Sequence, residues 1–396
     1  MFGFEYYTPT KVVFGKNTEE KAGALIREFG GSRVLIHYGG QSAVKSGLID
    51  RIKGYLDDAG LFHVELGGVV PNPHLGKVRE GIRLAQENQI DFILSVGGGS
   101  VIDSGKAIAY ALAEPDKDVW ELFNHTRKPL GCFPVGVVLT IAAAGSEMSD
   151  SCVITNEETG EKRGCNSDYC RAKFAIMDPV LTQTLPDYQS MSGCTDIMMH
   201  TMERYFTQGG NMELTDAIAE GLLKTVMKNA RILHTDPQNY EARAEVMWAG
   251  SLSHNGLTGC GANGRDFVSH SLEHEMGGMF DVTHGAGLAA VWPSWARYVM
   301  DEDMPRFVKF AVNVMGVTRT PEMTDKETAL AGVAAAEDFF RSIDMPVTMK
   351  ELGISPTDEQ ICEMAASAAR ACGGKRGTAK VMYEEDFKKV YFMARG

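Results

Sequence analysis

Residues 92–113 read FILSVGGGSVIDSGKAIAYALA. Residues 92–96 are a short run rich in apolar, β-favouring side chains. Gly97-Gly98-Gly99 interrupts it, and from Ser100 the stretch reads as a helix running through Lys106, Ala107 and Ala111. A strand, a glycine turn and a helix in succession make up half of a βαβ unit. Three glycines leave the turn without Cβ atoms, so a phosphate can approach the backbone. The helix start then offers N–H groups and a partial positive charge. The pattern is neither G-x-G-x-x-G nor a Walker A loop. A tight turn without a ligand is the plainer alternative, and the position after a sheet-interior run favours phosphate binding.

Outward from this stretch the same rhythm repeats. Arg33–Tyr38 (RVLIHY) and Phe62–Leu66 (FHVEL) read as strands, with helical stretches at 46–59 and 75–88. Residues 134–139 (PVGVVL) are almost continuously apolar, as a strand buried on both faces should be. Repeated strand–helix–strand units predict a Rossmann-like parallel sheet with helices on both faces. Residues 153–156 and 162–167 flank Glu-Glu-Thr-Gly and predict a β-hairpin. From Pro186 the pattern turns helical, at 187–206, 213–234, 240–257 and 324–343. The expected organisation is an α/β dinucleotide-binding domain over 1–185 and an all-α domain over 186–396 that carries metal-binding and catalytic groups.

Composition sets the outer limits. The chain has 396 residues, a net charge of −13, 44% hydrophobic and 23% charged residues. That length suits two or three domains with a core that needs no disulfides. The acidity argues against nucleic acid or an anionic membrane as partner. Eight cysteines are scattered without a C-x-x-C pair, which fits free thiols in a reducing compartment. The start of the sequence has no secretory-signal pattern, and the longest low-charge run is too short to cross a bilayer. A cytoplasmic enzyme is the expectation.

The helical half holds the second constellation. Asp196 and His200 are four apart, and so are His270 and His274; a helix puts each pair on one face. His284 follows in a glycine-containing turn. Such groups can converge on one divalent ion. Spacing alone leaves this open beside ordinary core and surface roles. His37, His63, His74, His125, His234 and His254 show no comparable grouping and read as structural or solvent-facing.

Taken together, residues 97–103, Thr140 with Gly145-Ser146-Glu147, Asp178-Pro179, Asp196-x-x-x-His200 and His270-x-x-x-His274 with His284 resemble the iron-containing (group III) alcohol dehydrogenases. The likeness is greatest to the NADPH-dependent butanol dehydrogenase and aldehyde reductase branch. The resemblance implies that Asp196, His200, His270 and His284 hold the catalytic metal, Fe(II) or in its place Zn(II). It implies that His274 lies beside the nicotinamide and substrate, with His270 and His274 as the catalytic histidines. Gly97, Gly98, Gly99 and Ser100, with Asp103 just inside the helix, would hold the cofactor diphosphate. Thr140, Asn72 and Lys162 match other cofactor-side positions. Ala143-Ala144 departs from relatives, which often carry Thr there. The implied reaction moves a hydride between NADP(H) and a primary alcohol or aldehyde. A polyol dehydrogenase of the same superfamily, or a metal-dependent hydrolase, are the alternatives.

Cofactor choice has a local argument. NAD sites usually place an acid near the end of the second strand, on the ribose 2′-hydroxyl. Here RVLIHY is followed by Gly39-Gly40-Gln41-Ser42 and then Lys45. Small residues leave room for a 2′-phosphate, and Ser42 or Lys45 offer it a partner, so NADP(H) is the expected cofactor. The aromatic N-terminal run 4–14 reads as a strand. By resemblance it would pair across a homodimer.

Overall fold

The computed structural model describes residues 1–208 and 210–396. The chain forms two compact units. One is Tyr7–Thr184; the other joins Leu185–Gly396 with Met1–Tyr6.

The first unit is built on strands β1 (Lys11–Phe14), β2 (Arg33–Tyr38), β3 (Phe62–Leu66), β4 (Phe92–Gly97), β5 (Val135–Leu139), β6 (Ser151–Asn156), β7 (Glu161–Asn166) and β8 (Phe174–Met177). Six of them form one parallel sheet in the order β1-β8-β5-β4-β2-β3. Central β4 and β5 are buried along their whole length, which is why their sequences are apolar on both faces. Helices Ala22–Glu28 and Leu48–Asp58 press Leu25, Ile26, Ile49, Ile52 and Leu56 into a core with Val34, Ile36 and Leu94. The remaining two strands, β6 and β7, make an antiparallel hairpin around residues 157–160, as predicted.

Two details differ from expectation. β8 was not foreseen, because four residues between the hairpin and Asp178-Pro179 are too few to show a period. The N-terminal strand spans only Lys11–Phe14, and it pairs in parallel with β8 of its own chain. Residues 4–10 form no strand.

The chain runs from β2 outward to β3, returns to β4 on the other side of β2, and continues away to β5. Its connections therefore diverge between β2 and β4. In parallel sheets, ligands bind beyond the carboxyl ends of the strands at such a switch point.

The second unit is helical. Its axis is Asp187–Tyr205, buried from Ser190 to Tyr205. Helices Glu213–Thr235, Tyr240–His254, Val268–Phe280, His284–Val299, Met304–Asn313, Asp325–Arg341, Asp358–Ala371 and Glu384–Ala394 complete it. Thr324 and Thr357 start two of them with capping boxes. The apolar core includes Phe206 stacked on Phe307 with ring centroids 4.4 Å apart, beside the buried Trp292 and Trp295. At Gly285 a Cβ would overlap the carbonyl oxygen of Ser192. Only glycine lets this helix approach the axis helix so closely, and that approach seats His284 near Asp196. Among the described residues, no helix is long and apolar enough to cross a membrane.

Candidate active site

In the helical unit, the axis helix carries Asp196, His200 and Glu203 at spacings of four and three, so one face presents all three. The helix Val268–Phe280 brings His270, Glu273 and His274, and His284 is the first residue of the next helix. These pieces converge on Asp196 Oδ1. His200 Nδ1 lies 3.4 Å from it, His270 Nε2 3.7 Å and His284 Nε2 3.7 Å. His200 and His270 stack with centroids 4.5 Å apart. His274 stands off, its ring 6.4 Å from that of His270 and 5.8 Å from that of His284.

Two carboxylates behind the histidines were not singled out in the sequence. Glu203 Oε2 hydrogen-bonds His270 Nδ1, and Glu273 Oε2 hydrogen-bonds His284 Nδ1. Glu203 Oε1 also accepts from the Ser269 N–H at 2.7 Å. Each carboxylate fixes a ring so that Nε2 faces Asp196. This is the arrangement that metal-ligating histidines use. The signal was present as the spacings 196/200/203 and 270/273.

The residues fit a divalent ion. Asp196 Oδ1, His200 Nδ1 and His270 Nε2 are buried and have no hydrogen-bond partner, although such buried polar atoms are normally satisfied. Ligands about 2.0–2.2 Å from a tetrahedral ion lie about 3.3–3.6 Å from one another, close to the distances from Asp196 Oδ1 to the three nitrogens; the ligand atoms of Asp196, His270 and His284 all lie within 4.8 Å of one another, and His200 joins them through Asp196. The donor set of imidazole and carboxylate suits Fe(II) or Zn(II). Electrostatics agree. Burial alone would lower the His270 pKa, but Glu203 and Asp196 override it and hold it up at about 9. Burial together with His254, His270 and Arg204 pushes His200 well below its ordinary value. The pocket thus favours one localised positive charge among its carboxylates.

His254, read from sequence as ungrouped, packs on His200 with centroids 4.0 Å apart. That expectation is corrected: a helix end 50 residues from Arg204 comes back to the site. His37 is structural as expected, buried between the Leu66 carbonyl and Ser104 Oγ.

The sheet unit gathers the other predicted residues at its carboxyl edge. Gly97 pairs with Leu139 across β4 and β5, and the Thr140 N–H donates to the Gly97 carbonyl at 3.1 Å. Gly98 caps the helix Gly99–Ala113, which begins with Gly99 and Ser100. A Cβ on Gly98 would overlap Ile141, and one on Gly99 would sit 3.1 Å from the Ala144 Cβ. The loop after β5 therefore closes directly on the glycine turn, and the Ile141 side chain leaves no space for a Cβ at Gly98. Gly39 and Gly40 follow the adjacent β2, and Ser42 and Lys45 are exposed on the short helix Gln41–Lys45. Asn72, at φ +54°, lies in the loop whose His74 bridges to Thr155 of β6. Thr155 is in register with Lys162 of β7. Asn72 and Lys162 thus belong to one neighbourhood.

Asp103 lies just inside the helix Gly99–Ala113. Its carboxylate accepts from Ser146 Oγ and, at 2.9 Å, from the Val153 N–H. Burial holds this carboxyl above its ordinary pKa, against the pull of Lys106. Lys106, which sequence reading left without a role, is fully buried. Its Nζ donates to the carbonyls of Ser146 at 2.7 Å, Ser149 at 3.1 Å and Ser151 at 2.8 Å. Asp103 and Lys106 together anchor the 146–153 segment to the glycine-loop helix.

Comparison with known proteins decides the lineage. The profile of iron-containing alcohol dehydrogenases matches residues 9–179, and the family's C-terminal profile matches residues 190–394. The chain belongs to the iron-containing alcohol dehydrogenase family. It is 38% identical to the NADH-dependent butanol dehydrogenase A of Clostridium acetobutylicum, over 99% of this chain and 100% of that protein. It is 35% identical to the NADPH-dependent aldehyde reductase YqhD of Escherichia coli, over 89% of this chain and 90% of that protein. The crystal structure of an NADH-dependent butanol dehydrogenase A from Thermotoga maritima superposes with a TM-score of 0.95 at 35% identity, covering 100% of this chain and 99% of that one. The iron-containing alcohol dehydrogenase fold, a parallel-sheet unit and a helical unit, is the one described above. The protein is an alcohol–aldehyde oxidoreductase that uses a nicotinamide cofactor and a divalent metal.

Proposed function

We propose that this chain reduces short aldehydes to primary alcohols with NADPH, and runs the reverse reaction with NADP, through a divalent metal held by Asp196, His200, His270 and His284. The observation that carries this reading is the set of three histidine nitrogens around Asp196 Oδ1, two of the rings backed by Glu203 and Glu273.

A divalent cation supplies Lewis acidity, which can take a ligated water from a pKa of about 15.7 to about 7 and in the same way favours an alkoxide or polarises a carbonyl. The nicotinamide supplies the hydride. The protein's own residues do the rest. Glu203 and Glu273 hold two of the rings in the tautomer that turns Nε2 inward. His274, one turn beyond His270, accepts the alcohol proton on oxidation and returns it on reduction. Gly97–Ser100 and Thr140 seat the diphosphate and the nicotinamide half, and Asn72 and Lys162 flank them. Asp103 and Lys106 fix the loop that closes on the glycine turn.

The preference for NADP(H) rests on the end of β2. Gly39 and Gly40 stand where NAD sites usually carry an acid, a Cβ on Gly40 would meet open space, and Ser42 and Lys45 are exposed beside it. The native metal is read as Fe(II), with Zn(II) as substitute. A homodimer through the N-terminal segment completes the reading, supported by the exposed rings of Phe4, Tyr6, Tyr7 and Phe14. A cytoplasmic location fits the eight free cysteines. Butanal reduction with each cofactor tests the central preference. A kcat/KM at least tenfold higher with NADPH is expected, and equal values would overturn it.

A further inference from the structure

Two of the three metal-side histidines are backed by carboxylates. His200 is backed by something else. Arg204, one turn along the axis helix and 1% exposed, donates from one guanidinium nitrogen to the His200 carbonyl at 2.6 Å. Its other terminal nitrogen donates to His254 Nδ1 at 2.9 Å. An arginine cannot surrender its proton, so His254 Nδ1 is the acceptor, and a neutral His254 carries its hydrogen on Nε2. The orientation of the His254 ring is therefore fixed, and that ring lies on His200 with centroids 4.0 Å apart. Phe267 closes the group. It holds a left-handed backbone at φ +53°, its ring is 5.0 Å from His270 and 6.1 Å from His200, and the Arg204 guanidinium lies over it at 4.8 Å. A non-glycine residue kept in that conformation beside a site marks a constraint that the surroundings maintain.

We propose that His254, clamped by Arg204, is a positioning residue that sets the ring plane of His200 and so completes the metal site from the side that lacks a glutamate. The inference rests on the metal reading above. Arg204 ties the backbone of His200 and the ring stacked on it to one guanidinium, so both move as a unit. Outer residues of this kind typically change metal affinity 10–100-fold when replaced. The site would then have an unequal surround: anionic behind His270 and His284, cationic and aromatic behind His200.

The test uses the full-length protein loaded with Co(II), whose visible d–d absorption reports ligand geometry, and measures Zn(II) affinity by chelator competition. His254→Gln keeps an acceptor for Arg204 but removes the ring. Its Zn(II) affinity should fall at least tenfold and its Co(II) spectrum should change, with thermal unfolding confirming a folded protein. His254→Phe keeps a ring without an acceptor and should retain more of the affinity than His254→Gln; it carries the same decision should His254→Gln not fold. A Zn(II) affinity within twofold of wild type together with an unchanged Co(II) spectrum overturns the clamp alone. A wild-type protein that binds neither ion overturns the metal reading and the clamp with it.

Discussion

Glu203 hydrogen-bonds Nδ1 of His270, while the opposite nitrogen of that ring faces Asp196 Oδ1 at 3.7 Å. Glu203 is fully buried and also accepts from the backbone at Ser269 and His270. It therefore has no freedom to leave the ring. Glu203→Gln removes the charge but keeps the shape, and an amide satisfies a histidine less strongly than a carboxylate does. Metal affinity should fall about 10–100-fold, with kcat/KM falling in parallel when metal is limiting. Metal analysis after dialysis against a chelator checks this.

His274 should separate chemistry from metal retention. It belongs to the group of Glu273, His274 and His284 whose ligand atoms lie within 4.8 Å of one another, whereas Asp196 groups with His270 and His284. His274→Ala should lower kcat by about 10²-fold, the lower end for loss of an acid–base group, with metal content unchanged. Loss of metal from this variant would move His274 into the ligand set.

Lys106 makes a prediction about the cofactor side. Lys106→Met would leave the carbonyls of Ser146, Ser149 and Ser151 without their shared donor. Each buried group left unpaired costs about 1–3 kcal/mol, so a loss of about 3 kcal/mol or more is expected. The freed 146–151 segment should raise the KM for NADPH more than it lowers kcat. Denaturant unfolding and steady-state kinetics measure the two effects.

These residues also show where sequence reasoning stopped. The strands at 33–38 and 92–96 were legible because interior parallel strands are largely apolar runs ended by glycine or polar turns, and the edge strand at 62–66 because it keeps the strand–helix rhythm between them. The Asp196/His200 and His270/His274 pairs were legible because a helix converts a spacing of four into a shared face. Glu203 and Glu273 obey the same geometry, but an acid on a helix is so often a surface group that spacing did not mark them. The Arg204–His254 pair and the Lys106 anchor leave no local trace at all. They exist only after segments 40–50 residues apart have packed, and no periodicity encodes that.

His37 gives the pH dependence of the sheet unit. Burial lowers its pKa to about 4, opposed by its bond to the Leu66 carbonyl and reinforced by Lys77. The unfolded chain takes up a proton near pH 6.5, and the folded protein refuses it until about pH 4. The stabilisation is therefore complete above pH 6.5 and is lost as the pH falls toward 4, at about 1.4 kcal/mol per pH unit. In unfolding titrations, His37→Gln should show a shallower loss of stability across that window by about one proton. Equal slopes would place His37 in a solvated environment.

The central claim is that Asp196 and the three histidines around it make the reaction metal-dependent. The most direct measurement follows NADPH consumption with butanal after exhaustive chelation, and again after adding back Fe(II) or Zn(II). The structure predicts negligible turnover in the chelated protein and recovery on metal addition, with Asp196→Ala inactive under both conditions. Full turnover in the chelated protein, or recovery in Asp196→Ala, would contradict it.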